Sequence, residues 1–214
     1  MTLVLHDYWR SSAAYRVRIG LNLKGLAYEQ RVVNLLAGDQ GSDAYGAVNP
    51  QHLIPSLKTP DGVLTQSVAI LEWLEETHPE PPLLPADPFG RATVRAMCAA
   101  IAADIHPLNN LRILNALRAD FAAENPQVSA WIARWITDGF AALEQQVARH
   151  GGAYAFGEAV TLADILLVPQ VYSARRYKVD TTPYPRLIAA ADRAAEHPAF
   201  AAAHPDRQPD AVAT

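Results

Sequence analysis

Between His78 and Pro88 the chain reads His-Pro-Glu-Pro-Pro-Leu-Leu-Pro-Ala-Asp-Pro, so five of its 16 prolines fall in one short stretch. Proline lacks the N–H that helix interiors and central strands require, and neither element runs through such a segment. The 214 residues are thereby divided into two parts. The predicted organisation is a first domain over 1–80, a linker over 81–90 and a second domain over 91–214. Half of the residues are hydrophobic, enough for one large core or two modest ones.

The first part carries the signals of an α/β domain. Residues 3–6 are a short apolar run, residues 7–10 are polar, and Ser11-Ser12 opens a stretch through Lys24 that contains Val17, Ile19, Leu21 and Leu23. That order predicts strand, loop and serine-capped helix. Gly25 ends the helix, and residues 28–35 are alternating and β-branched enough for a second strand. Residues 55–59 predict a third strand that turns at Asp61-Gly62 into Val63-Leu64. Val68, Ile70, Leu71 and Leu74 then recur at helical spacing. The reading is βαβ followed by ββα. Beyond the prolines every periodic segment is helical: 89–119 with an interruption at Pro107, then 126–150, 162–177, 185–196 and 198–203. Thr161 and Asp164 have the spacing of a capping box. The predicted fold class is α/β followed by all-α.

Charge and cysteine content exclude several functions. A formal net charge of −4 offers no general attraction to nucleic acid or anionic lipid, so an anionic ligand needs local arginines. Cys98 is the single cysteine, which leaves no intrachain disulfide, no CxxC pair and no thiolate metal cluster. Its apolar helical context predicts a buried, inert residue. The apolar run at the start is too short for a signal peptide, and no stretch approaches the roughly 20 apolar residues of a membrane span. A cytoplasmic protein without nucleic-acid or membrane partners is expected.

Five places could carry chemistry. Ser11 and Ser12 put hydroxyls and backbone N–H groups at a helix start, which suits a thiolate or another anion, although the local pattern by itself favours a plain N-cap. Ile54-Pro55 opens a strand beside a loop; an ordinary trans proline fits there, and so does a cis bond that turns the Ile54 backbone outward toward an extended peptide. Gln66-Ser67 offers an amide, a hydroxyl and helix-terminal N–H groups to a carboxylate, with simple capping as the other reading. His106 and Asn110, four apart, are expected on one face of a helix with Asp104 and Arg112 nearby, a polar stripe that implies a cleft. No metal site is expected there, because no HxxxH pair accompanies His106. Arg175-Arg176 closes a helix, where cations are favoured whether or not they bind a ligand.

These features occur together in one arrangement: the chain resembles zeta-class glutathione transferases, the maleylacetoacetate and maleylpyruvate isomerases, over nearly its whole length. The matching segments are Arg10-Ser-Ser-Ala-Ala-Tyr-Arg-Val-Arg-Ile19, Asn49-Pro-Gln-His-Leu-Ile-Pro55, Gln66-Ser67, Asp104-Ile-His-Pro-Leu-Asn-Asn-Leu-Arg112, Val168-Pro-Gln-Val171, Val179-Asp-Thr-Thr-Pro-Tyr-Pro185 and Gln208-Pro-Asp210. The resemblance implies a thioredoxin-like N-terminal domain, a helical C-terminal domain and a homodimer, with glutathione as cofactor. It implies that Ser11, with Ser12 beside it, supports the glutathione thiolate. Gln40, Gln51, the Ile54 backbone, Gln66 and Ser67 match glutathione-contacting positions. Asp104, His106, Asn110 and Arg112 match positions at the glutathione and substrate edge of the second domain, and Arg10 and Arg176 match the arginines that hold substrate carboxylates.

The implied reaction is the cis-trans isomerisation of a small unsaturated keto-dicarboxylate in the breakdown of aromatic compounds. The family signature commonly reads Ser-Ser-Cys where this chain has Ala13. Isomerisation needs only the sulfur of glutathione, so the departure bears on side activities such as haloacid turnover. Two rival readings share the motifs: a transferase that conjugates or dehalogenates electrophiles, and a non-catalytic glutathione-binding module.

Overall fold

A computed structural model describes residues 2–212, which fall into two compact units. The first unit runs to Pro82 and also takes in the segment from Glu196; the second is Leu83–Ala195. In the first, the chain order is β1 (Leu3–Asp7), α1 (Ser12–Leu23), β2 (Tyr28–Val32), a 3-10 turn (Asp39–Gly41), α2 (Asp43–Gly46), β3 (Ser56–Thr59), β4 (Gly62–Thr65) and α3 (Ser67–Thr77). The sheet order is β2-β1-β3-β4, with β1 and β2 parallel and the other two pairings antiparallel. A parallel pair needs a crossover, and α1 supplies it. The second strand stops at Val32, short of the predicted residue 35, because Asn34 Oδ1 accepts from the N–H groups of Leu36 (3.0 Å) and Ala37 (3.2 Å) and turns the chain.

Helix α1 is buried from Ala13 through Leu21. It packs against α3, and a side chain at Gly20 would run into the Leu71 side chain there, so the small residue permits the close approach. At its C-terminal end Lys24 Nζ donates to Glu75 Oε2 of α3 (2.8 Å) and to the Pro81 carbonyl (2.7 Å), which ties down the start of the proline segment.

The second unit is helical: α4 (Pro88–Ala99), a π-helical stretch (Ala100–Ile105), a 3-10 turn (Pro107–Asn109), α5 (Leu111–Phe121), α6 (Asn125–His150), α7 (Leu162–Arg176) and α8 (Pro185–Ala195). Part of the expected linker belongs to this unit. Leu83 and Leu84 are buried, and the Leu83 carbonyl accepts from Leu162 N–H (2.9 Å). Pro88 opens α4, with Asp87 Oδ1 accepting from Gly90 N–H (2.7 Å), at a position where a helix needs no donor. Proline in this segment therefore marks an anchored, bent connection and a helix start. Glu144 of α6 accepts from Arg186 N–H (3.2 Å) and Leu187 N–H (2.8 Å), capping α8 from a neighbouring helix.

The last helix, α9 (Pro198–Ala203), and the residues after it group with the first unit, whereas the sequence reading assigned them to the second domain. Polar contacts explain the difference. Asn22 Nδ2 donates to the Ala199 carbonyl (3.0 Å), Arg18 Nε to the Ala203 carbonyl (3.0 Å) and Gln30 Nε2 to Gln208 Oε1 (2.9 Å). Among the described residues no helix is long and apolar enough to cross a membrane.

The predicted capping box is present at the start of α7. Asp164 is fully buried and accepts from Ala155 N–H (2.8 Å), Thr161 N–H (2.8 Å) and Thr161 Oγ1 (3.1 Å). Burial pushes its carboxyl from 3.8 up to about 6, against the pull of those donors. Between those two values the folded state holds the proton more tightly than the unfolded one, so this group's contribution to stability falls as pH rises through the window and levels off above it. Asp164→Asn should be less stable than the parent, because one amide oxygen cannot serve three donors. The difference between the two unfolding free energies, read from denaturant titrations, should shrink from pH 4 to 6, by at most about 1.4 kcal/mol per pH unit. A gap that widens with pH would mean that the three donors outweigh burial.

Candidate active site

The strand register decides which loops meet in the first unit. His6 of β1 pairs with Ser56 of β3, and Ser56 pairs with Thr65 of β4. The end of β1, the start of β3 and the end of β4 therefore lie at one end of the sheet, and three connections leave it side by side: residues 8–11, the Ile54-Pro55 peptide and Gln66-Ser67. Neighbouring strands are about 4.8 Å apart, so the three span roughly 10 Å, the length of an extended tripeptide.

Ser11 stands as the N-cap of α1, its Oγ accepting from Ala14 N–H (3.2 Å), and Ser12 is the first helical residue. The two readings of Ser11 are compatible. A hydroxyl that accepts from the helix still has its own O–H to donate to an anion beyond the helix end. Arg10, just before it, lies with its guanidinium carbon 5.2 Å from the Trp9 ring centre.

Ile54-Pro55 is cis, one of the two geometries the sequence left open. The preceding Leu53 carbonyl is fully engaged, accepting from Tyr45 Oη (2.8 Å) and Asn49 Nδ2 (2.7 Å). Burial pushes the Tyr45 phenol above its ordinary value, opposed by its contacts with Ser56 and Asn49. The Ile54 N–H and carbonyl have no hydrogen bond among the described residues, and so remain open to a peptide. Burial, with Arg31 second, lowers the neighbouring His6 below the usual histidine value.

Gln66 precedes α3 in the left-handed region (φ 68°), a conformation that costs a non-glycine residue on the order of 1–3 kcal/mol. No side chain caps α3, which leaves its first N–H groups available to an anion. Gln66 Nε2 donates to Gln51 Oε1 (2.9 Å), joining two of the candidate residues. Ser67 is buried and its Oγ accepts from Arg16 Nη1 (3.2 Å). Gln40 lies on the 3-10 turn; its carbonyl is 2.7 Å from His52 Nδ1, and its side-chain Oε1 is buried with no partner among the described residues. Arg16 escaped the sequence reading. The available signal was a charged residue at a position where α1 is otherwise apolar.

In the second unit the expected polar stripe is not one helix face. Asp104 is exposed on the π-helical stretch, His106 links it to the 3-10 turn, and Asn110 is extended, capping α5 with Oδ1 on Arg112 N–H (3.2 Å). Pro107 has no N–H to continue the ladder, and the His106 N–H instead reaches the Ile101 carbonyl (2.9 Å). At the end of α7 the two arginines differ. Arg175 is ion-paired with Asp192 (2.8 Å), whereas the exposed Arg176 has no ion pair among the described residues and lies 4.4 Å over the Tyr177 ring. Cys98 is buried in α4.

Comparison with known proteins gives this geometry a family. Residues 5–82 match the N-terminal domain of glutathione S-transferases and residues 136–202 the C-terminal domain. A maleylpyruvate isomerase from Ralstonia sp is 51% identical over 97% of this chain and 99% of its own. The solved holo structure of a maleylpyruvate isomerase, described as a bacterial glutathione S-transferase in zeta class, superposes with a TM-score of 0.96 at 49% identity, over 98% of this chain and 100% of that one. The chain belongs to the zeta class of the glutathione S-transferase family. A maleylacetoacetate isomerase from Anaeromyxobacter dehalogenans, solved with glutathione in its active site, is 49% identical with a TM-score of 0.90, over 99% of this chain and 98% of that one. The residues of this glutathione S-transferase fit such a cofactor. Glutathione is an extended peptide with a thiol and carboxylates, and the sheet end offers an uncapped helix, an open peptide backbone and a hydroxyl at a second helix start. No group of three or more His, Cys, Asp or Glu able to hold a metal ion occurs among the described residues.

Proposed function

We propose that this zeta-class glutathione S-transferase converts a maleyl-type keto-dicarboxylate, maleylacetoacetate or maleylpyruvate, to its trans isomer. The observation that carries the reading is the strand register that sends residues 8–11, Ile54 and Gln66-Ser67 out of one sheet end. Bound glutathione supplies a thiolate that adds to the alkene and leaves again, making the carbon–carbon bond single while it rotates. Ser11 donates its O–H to the sulfur, and the start of α1, with Ser12, favours its negative charge. Gln66, Ser67 and the uncapped start of α3 take a glutathione carboxylate, the Ile54 backbone pairs with the peptide, and Gln40 and Gln51 flank it. From the second domain we assign Asp104, His106, Asn110 and Arg112 to the edge of the cofactor site. Arg10 and Arg176 hold the substrate carboxylates, for which a planar guanidinium is suited, and their fixed charge favours the negative charge that moves onto the substrate. The family resemblance extends the proposal to a homodimer of the cytoplasm acting in aromatic catabolism, and a cysteine content of one, which allows no intrachain disulfide, agrees with a reducing compartment.

Two substitutions test it. In Ser11→Ala, losing a hydrogen bond to a charged group, worth about 1.5–3 kcal/mol, should raise the thiol pKa of bound glutathione by about 1–2 units, read from ultraviolet thiolate absorbance against pH. Turnover should fall with it, and an unchanged titration with unchanged turnover would leave Ser11 a cap alone. Arg176→Ala should lower kcat/KM roughly ten- to hundredfold with glutathione affinity retained, and Arg176→Lys should fall between, since it keeps the charge and loses the fork. Normal kcat/KM in Arg176→Ala would remove Arg176 from the site.

A further inference from the structure

Trp9 lies two residues before Ser11, and its buried main chain is gripped from both sides. Its N–H donates to Asp210 Oδ2 (3.0 Å), a residue 201 positions away, and its carbonyl accepts from Arg18 Nη2 (2.9 Å). The Ser11 N–H closes on the Tyr8 carbonyl (2.9 Å), so residues 8–11 form a turn in which Trp9 and Arg10 are the central pair. The Trp9 N–H belongs to the Tyr8-Trp9 peptide and the Trp9 carbonyl to the Trp9-Arg10 peptide, so the two bonds hold two successive peptide planes of the turn that leads into Ser11. Two charged groups from different elements hold it.

Asp210 is delivered by an anchored segment. Two residues earlier Gln208, buried, accepts from Gln30 Nε2 (2.9 Å) and donates to the carbonyls of Ala202 (3.1 Å) and His204 (2.8 Å). Gln30 Nε2 also donates to Asp7 Oδ2 (2.9 Å), the carboxylate that pairs with Arg18. The Ala211 N–H closes on the Gln208 carbonyl (3.0 Å) just beyond. Tail, β1, β2 and α1 thus share one polar network that ends on the Trp9 peptide.

We infer that Asp210 is a positioning residue for the thiolate site: the C-terminal segment clamps the Trp9 peptide and thereby fixes the turn that presents Ser11. The inference rests on the reading of Ser11 as the thiolate-supporting hydroxyl. Asp210 touches no reacting atom in this account and acts through the turn. Its geometric demand is an acceptor oxygen at the Trp9 N–H, which asparagine also provides.

The test compares Asp210→Ala and Asp210→Asn in the full chain. Hydrogen exchange of the Ser11 amide, measured without glutathione, reports closure of the turn independently of any activity. In Asp210→Ala it should accelerate roughly ten- to hundredfold, with amides of α3 and α6 unchanged as the check that the fold is intact. With glutathione added, the thiolate titration of Asp210→Ala should move to higher pH and kcat should fall several-fold, while Asp210→Asn recovers most of both. Unchanged Ser11 exchange in Asp210→Ala overturns the inference, and so does an Asn variant as impaired as Ala. Failure of the thiolate reading is separately visible as a parent protein without bound-thiolate absorbance, and the exchange data then decide the clamp alone.

Discussion

Arg18 and Asp7 face each other inside the first unit, with Arg18 Nη1 2.7 Å from Asp7 Oδ1 and neither side chain more than 2% exposed. Charges taken out of water in this way are tolerated only when every donor and acceptor is satisfied. Arg18 meets the condition by spending Nη1 on both Asp7 oxygens, Nε on the Ala203 carbonyl and Nη2 on the Trp9 carbonyl. Losing one partner of such a pair typically costs about 3–5 kcal/mol. The pair consequently ties the end of β1, the middle of α1, the tail and the turn before Ser11 into one geometry.

That geometry matters because the candidate site is built from backbone more than from side chains. The starts of α1 and α3 and the open Ile54 peptide are placed by the register of β1, β3 and β4. Side chains then complete what the backbone offers. Ser11 caps and retains a donor, Asn49 and Tyr45 occupy the Leu53 carbonyl so that the next peptide is left open, and Gln66 tolerates a positive φ where β4 gives way to α3. The costly conformation of Gln66 is where the chain passes from β4 into the uncapped start of α3.

The order of elements was legible in the sequence because it rests on period and punctuation. Alternation at Tyr28, helical spacing from Val68 to Leu74 and the capping box at Thr161 are local signals, and local physics reproduces them. What stayed hidden depends on contacts between distant residues. Nothing in the text of residues 196–212 tells that Asn22, Arg18 and Gln30 draw that segment onto the first unit. Leu83 and Leu84 looked like linker because prolines surround them, yet they are buried. At Pro107 the break was legible and its form was not, since the missing N–H is local while the π-helical stretch and the extended Asn110 depend on packing. Among the candidate residues, the sheet end gathers those of the first unit. The chemical roles proposed for them follow from the family resemblance, and local spacing alone left plain capping open at Ser11 and Ser67.

In the proposed reaction glutathione acts on a maleyl-type dicarboxylate and is returned unchanged. The most direct test is proton NMR of the purified protein with about a tenth of an equivalent of glutathione and either maleylpyruvate or maleylacetoacetate. Complete conversion of the cis alkene signals to those of the trans isomer is expected, with the glutathione resonances intact at the end. Conversion that stops when glutathione is exhausted, with a stable conjugate in its place, would contradict it.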